Sequence, residues 1–123
     1  MVDKEKIYPG DTMSVAYEMR KPDPNDDRNT AGLPATPTSA FVKLLDRQSG
    51  EFVELGGTGV DEVDATIEAA TGEAWNDKGA IIRYTLPSAF TQTPGDFTLL
   101  VTAVFENGTI LTEDKIFKVL EYR

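Results

Sequence analysis

The chain has 123 residues, neither cysteine nor histidine, and 21 acidic against 12 basic side chains, which give a net charge of −9. The two missing residue types exclude disulfides, thiolate and imidazole metal sites, and every nucleophile–histidine arrangement. The negative charge disfavours nucleic acid and anionic membranes as partners, and the length predicts one domain, residues 1–123.

The N-terminal arm, residues 1–6, is charged, so we expect no secretory signal peptide. No apolar run reaches the roughly 20 residues of a transmembrane segment. Residues 4–8 predict a short first strand, which Pro9 and Gly10 end with a turn. Residues 12–19 predict a second strand, because apolar side chains alternate there and define a core face. These side chains are Met13, Val15, Tyr17 and Met19.

Residues 20–39 form a long Pro/Asp-rich loop with four prolines, which exclude a helix or a central strand. Proline-fixed backbone loses little entropy on ordering, so we expect this loop to contact other chains. We expect the same of the arm, because it offers a strand that can pair with the sheet edge of a neighbouring subunit. The predicted partner-binding residues are Pro22, Asp23, Pro24, Asn25, Asp26, Asp27, Arg28, Leu33, Pro34 and Trp75. The loop's acidic spacing is similar to a calcium loop, but Arg28 and Pro34 occupy two positions that such loops restrict. We therefore expect a solvated acidic loop, with no cofactor, and leave a noncanonical calcium site open.

The middle of the chain predicts a strand at 40–45, a hairpin loop at 46–50 and a return at 51–55. After the Gly-rich break at 56–59, apolar and polar residues alternate over 63–69 and predict one strand with one solvent-exposed face. A helix over 61–70 is the alternative. Asp61, Glu62 and Asp64 form a cluster of three carboxylates. We interpret this cluster as a solvated strand end in preference to an acid–base pair. Trp75, in a loop at 71–78, would either anchor a ligand or close one end of the core.

The last third predicts the central hairpin of the sheet. Residues 80–86 alternate up to Pro87, and 88–93 allow one helical turn. Residues 97–105 then place Val101 on an apolar core face and Thr102 on the opposite face. Asn107 and Gly108 predict a two-residue type I′ turn into a return strand over 109–120. Seven or eight short strands without a long helix indicate an antiparallel β-sandwich.

Three stretches carry a resemblance to a known family: 8–12 (YPGDT), 79–87 (GAIIRYTLP) and 94–103 (PGDFTLLVTA), followed by the final hairpin. The chain resembles the immunoglobulin-like β-sandwich modules of tailed-bacteriophage structural proteins of the neck, tail, baseplate or head-accessory type. It departs from the antibody pattern in having no paired cysteines, and Phe97 stands where a tyrosine corner would have Tyr.

The resemblance implies a non-enzymatic virion component, assembled in the host cytoplasm, that binds copies of itself or other virion proteins. A homo-oligomer within a larger assembly is therefore expected. The alternative is a carbohydrate-binding or adhesion module of a cell-surface protein, built around Trp75 and a calcium-binding loop. An enzyme that uses a carboxylate pair is the remote third hypothesis.

Overall fold

Two β-sheets share one hydrophobic core in the computed structural model, which describes residues 5–20, 35–69, 79–106 and 108–121. The strands are β1 Glu5–Ile7, β2 Met13–Met19, β3 Ser39–Asp46, β4 Glu51–Phe52, β5 Val63–Asp64, β6 Thr66–Glu68, β7 Ala80–Leu86, β8 Gly95–Val104 and β9 Ile110–Val119. The larger sheet has the order β1-β9-β8-β3-β4, with β5 also on β3, and the smaller has the order β2-β7-β6. The predicted all-β class is confirmed.

The hairpin of β8 and β9 is the longest strand pair in the described residues, as predicted. Its core side chains are buried, from Phe97 at one end to Phe105 at the other. The turn differs from the prediction: Gly108 N donates to Phe105 O at 2.9 Å, and Phe105 N donates to Thr109 O at 2.8 Å. Phe105 and Thr109 therefore close the hairpin with three residues between them, instead of the two of a type I′ turn, and Gly108 has a φ of +87°. Asn107 itself lies outside the described residues.

The smaller sheet follows the sequence pattern closely. β2 pairs with β7 in antiparallel register from Met13↔Leu86 to Met19↔Ala80. The predicted core face of β2 is buried at Met13, Val15 and Met19 and half-buried at Tyr17. The outward positions of β2 and β7 are mainly polar, so alternation alone sets which face of this sheet reaches the core.

Residues 63–69 are extended, as predicted, but they form two strands instead of one. β5 pairs with β3 in the larger sheet, whereas β6 pairs with β7 in the smaller sheet. Between them, Ala65 N donates to Ala40 O at 3.0 Å, which fixes the crossing point. The chain thus changes sheet here, and the described residues contain nine strands where seven or eight were predicted. The return strand β4 is also shorter than the predicted 51–55, and it ends at Phe52.

The N-terminal strand lies in its own sheet. β1 pairs in parallel with the end of β9, from Glu5↔Phe117 to Ile7↔Val119. A salt bridge of 3.2 Å joins Glu5 to Lys115. Residues 5 and 6 of the predicted arm therefore pair, along one edge of their backbone, with a strand of the same domain. Residues 1–4 lie outside the described residues, so contacts of the arm with other chains stay a prediction.

A buried threonine connects the turn before β2 to the 3-10 turn, Ser88–Phe90, that follows β7. Thr91 is fully buried, and its Oγ1 donates to Asp11 O at 2.7 Å, with Ser88 O at 3.1 Å. Gly10 N donates to Thr91 O at 3.1 Å, so both the side chain and the backbone of Thr91 connect the two turns.

Thr91→Val should destabilise the domain by about 1–3 kcal/mol, because the shape is kept while a buried hydrogen bond is lost. The measurement is chemical unfolding at equilibrium. Thr93→Val, at an exposed position two residues on, is the control and should change the free energy of unfolding by less than about 0.5 kcal/mol. Equal unfolding curves for the two variants would show that the Thr91 hydroxyl has no structural role.

Candidate functional site

The partner-binding residues predicted from the sequence all lie outside the described residues, in the segments 21–34 and 70–78. They are Pro22, Asp23, Pro24, Asn25, Asp26, Asp27, Arg28, Leu33, Pro34 and Trp75. Their roles therefore stay predictions, and so does the calcium alternative for the acidic loop. The candidate site that the structure does describe lies on a different part of the chain.

That site is the outer face of the larger sheet, formed by side chains of β3, β4, β8 and β9 that alternate with the core residues. Alternation places these side chains on the side opposite Val42, Leu99 and Phe117, which are fully buried. The outer face consists of Phe41, Lys43, Leu45, Phe52, Thr98, Leu100, Thr102, Val104, Ile110, Thr112, Asp114 and Ile116.

Strand register arranges the outer face in rows that run across the sheet. Leu100 of β8 stands between Lys43 of β3 and Asp114 of β9. On one side of this row, Thr98 stands between Leu45 and Ile116. On the other side, Thr102 stands between Phe41 and Thr112, whose hydroxyl lies 3.0 Å from that of Thr102.

The outer face is apolar for a surface that meets water. Ile110 is 61% exposed and Phe52 is 39% exposed. Phe41, Leu45, Leu100, Val104 and Ile116 are half-buried. The outward side of the smaller sheet is different: Ser14 and Thr85 share a hydrogen bond of 2.8 Å, and Arg83 pairs with Glu68 at 3.1 Å. A contiguous apolar surface of this kind is typical of a protein contact.

Charge is also distributed unevenly. Within these twelve residues only Lys43 and Asp114 are ionisable, so their charges cancel there, whereas the whole chain carries −9. The same alternation continues at the margins of the face with two residues of each sign, Lys6, Lys118, Asp64 and Asp96. Lys43 is half-buried, and its Nζ lies over the ring of Phe52, 5.1 Å from the ring centroid. This cation–π contact holds the ammonium group within the apolar surface.

The signal for this face was present in the sequence. Phe41-Val42, Leu44-Leu45 and Leu99-Leu100-Val101 are consecutive apolar residues inside strands that otherwise alternate. Such runs indicate strands with apolar side chains on both faces. The core stripe alone was enough to predict these strands, so the second apolar face went unrecognised in the sequence.

The carboxylates weighed for catalysis do not meet in an enclosed site. Glu62 and Asp64 are exposed and Asp61 is half-buried, next to or within the two-residue strand β5. Among the described residues, no group of three acidic side chains is arranged to hold a metal ion. An open cleft of about 530 Å³ lies elsewhere, where β8 begins and β9 ends, and Asp96, Lys118 and Glu121 contribute to its lining.

Two tyrosines have perturbed acidity. Burial is the main cause that raises the pKa of Tyr17, and the negative charges of Glu113, Asp114 and Glu5 raise it further. Burial alone raises the pKa of Tyr84. Both phenols therefore stay protonated at neutral pH, which is the opposite of an activated nucleophile.

Comparison with known proteins gives no relative: no protein-family model, curated protein or solved structure matches this chain. Within the described residues, no helix is long and apolar enough to cross a membrane.

Proposed function

We propose that the chain is an immunoglobulin-like β-sandwich that serves as a non-enzymatic assembly protein, in the virion of a tailed bacteriophage. Strand order supports the first part. In immunoglobulin domains, strands B, E and D are neighbours in one sheet, and G, F, C and C′ are neighbours in the other. The smaller sheet matches the first order with β2, β7 and β6, and the larger matches the second with β9, β8, β3 and β4.

The observation that carries the assembly role is the apolar, charge-balanced outer face of the larger sheet. Each 100 Å² of apolar surface removed from water contributes roughly 2.5 kcal/mol to association before entropy losses are counted. A chain of net charge −9 resists close association over most of its surface, but the outer face adds no net charge. Protein partners are therefore favoured at this face over sugars, nucleotides or lipid.

The proposed partners are other virion proteins or copies of the chain, and the proposed location is the assembled particle. No cofactor takes part, because the function is surface complementarity. The carbohydrate-binding alternative depends on Trp75 and the acidic loop, both outside the described residues, so no contact described here favours it.

The test places a charge at the centre of the outer face. Leu100→Arg should leave the domain folded, because Leu100 is half-buried and points away from the core. It should reduce incorporation into particles of the phage that encodes the chain at least tenfold, measured by quantitative mass spectrometry of purified particles. Ser14→Arg, on the outward side of the smaller sheet, is the matched control and should incorporate normally. Absence of the wild-type chain from particles, or normal incorporation of Leu100→Arg, would refute the proposal.

A further inference from the structure

We propose that a second copy of this chain occupies the outer face, packed face to face about a two-fold axis that runs along β8. This inference rests on the proposed function, because it names the partner of the same surface. It goes further by fixing which residues of the two copies meet, and it follows from the strand register and the positions of two charges.

The row through Leu100 determines the geometry. Lys43 and Asp114 lie one strand to either side of Leu100, in the same row. Consider a two-fold axis that runs parallel to β8, midway between the larger sheets of the two copies. Rotation about this axis exchanges the β3 side with the β9 side and keeps each row in place. Asp114 of one copy then faces Lys43 of the other, and symmetry gives this pair twice.

The neighbouring rows are compatible with the same axis. Ile116 faces Leu45 of the second copy, so an apolar side chain meets an apolar one. Leu100 meets its own counterpart on the axis, as do Thr98 and Thr102. Two sheets can pack in this way with nearly aligned strands, about 10 Å apart.

A two-fold axis across the strands gives the opposite result. That rotation keeps each strand on its own flank, so Asp114 would face Asp114 of the second copy, and Lys43 would face Lys43. Like charges at close range in a desolvated contact are unfavourable. At the centre of the face, the charge positions therefore select the axis along β8. Asp96, at the start of β8, meets its counterpart only at the margin of the contact, beside the open cleft, where water screens the charge.

The contact is small, so the dimer is weak in dilute solution. The three long strands β3, β8 and β9, about 4.8 Å apart and with about eight residues each at about 3.4 Å per residue, cover about 400 Å² per copy, to which the two-residue β4 adds little. The total of about 800 Å² lies below the roughly 1,200 Å² of standard specific interfaces. We expect a dissociation constant in the micromolar range or weaker, which the high local concentration in an assembly would overcome.

The experiment reverses the two charges separately and together. The wild-type chain should dimerise in sedimentation equilibrium between about 10 μM and 1 mM. Lys43→Glu and Asp114→Lys should each weaken the homodimer at least tenfold, because each replaces two attractive pairs with two repulsive ones. An equimolar mixture of the two variants should form a heterodimer, since every pair is then attractive, and the double variant should dimerise within about threefold of the wild type.

Arg83→Glu is the matched control, because it makes the same change of charge on the outward side of the smaller sheet, and it should leave the dimer unchanged. Thermal melts identify any variant that fails to fold, and the double variant keeps the test valid if one single variant does. A chain that stays monomeric at 1 mM, or single variants that dimerise like the wild type, would refute the second copy as partner. If Leu100→Arg were still excluded from particles in that case, the assembly role would stand with a different partner.

Discussion

Val101→Asp should prevent the domain from folding. Val101 is fully buried at the centre of β8, paired with Val42 of β3 on one side and Glu113 of β9 on the other. A carboxylate at this position would be desolvated, at a cost of more than about 4 kcal/mol, because no Lys or Arg of the described residues is buried in the core to pair with it. Far-ultraviolet circular dichroism and a thermal melt should show no cooperative transition.

The matched change, Thr102→Asp, puts the same side chain on the other face of the same strand. From the sequence, this position should tolerate a charge unless the face is covered. The structure leaves Thr102 only 8% exposed, because its neighbours Phe41 and Thr112 shield it. We expect a folded variant destabilised by about 1–3 kcal/mol, from the lost hydroxyl contact and the partly buried charge. If both variants melted alike, the assignment of faces in β8 would be wrong.

Phe117→Ala should produce the second large effect. Phe117 of β9 is fully buried and stacks on Phe97 of β8, with ring centroids 5.5 Å apart and the planes inclined by 18°. Removing the ring leaves a cavity between the two sheets, which should lower the free energy of unfolding by about 3–5 kcal/mol. Urea unfolding at equilibrium measures the loss directly.

Phe117→Leu is the control, because it keeps most of the volume and should cost about 1–1.5 kcal/mol. A double-mutant cycle with Phe97→Ala then isolates the ring contact. The expected coupling energy is about 0.5–1.5 kcal/mol beyond burial of the two rings. Additive effects would mean that the stacked geometry contributes nothing of its own.

The strands that could be predicted from the sequence are those whose two faces differ. β2 and β7 alternate between apolar core residues and outward residues that are mainly polar, so their limits and inward faces were predicted well. The segment 63–69 alternates too, but its division at Ala65 depends on pairing with strands far away in the chain. Local alternation is the same whether a strand stays in one sheet or changes sheet, so only the tertiary structure decides between them.

The candidate site could be predicted less well than the fold. Consecutive apolar residues in β3 and β8 indicated a second apolar face, but their sequence positions do not say which side chains become neighbours. The pairing register places Lys43, Leu100 and Asp114 in one row, although 57 residues separate the first from the second. Because this arrangement is a property of long-range strand pairing, no local pattern could have given it.

The sequence by itself determined the all-β class, the inward faces of the main strands and the exclusion of cysteine and histidine chemistry. Those conclusions follow from side-chain period and residue type, which need no knowledge of distant contacts. Only the tertiary structure decided the strand order, the parallel pairing of β1 with β9, the crossing at Ala65 and the charge-balanced outer face. Each of these depends on which strands become neighbours, and burial across the whole chain selects that arrangement.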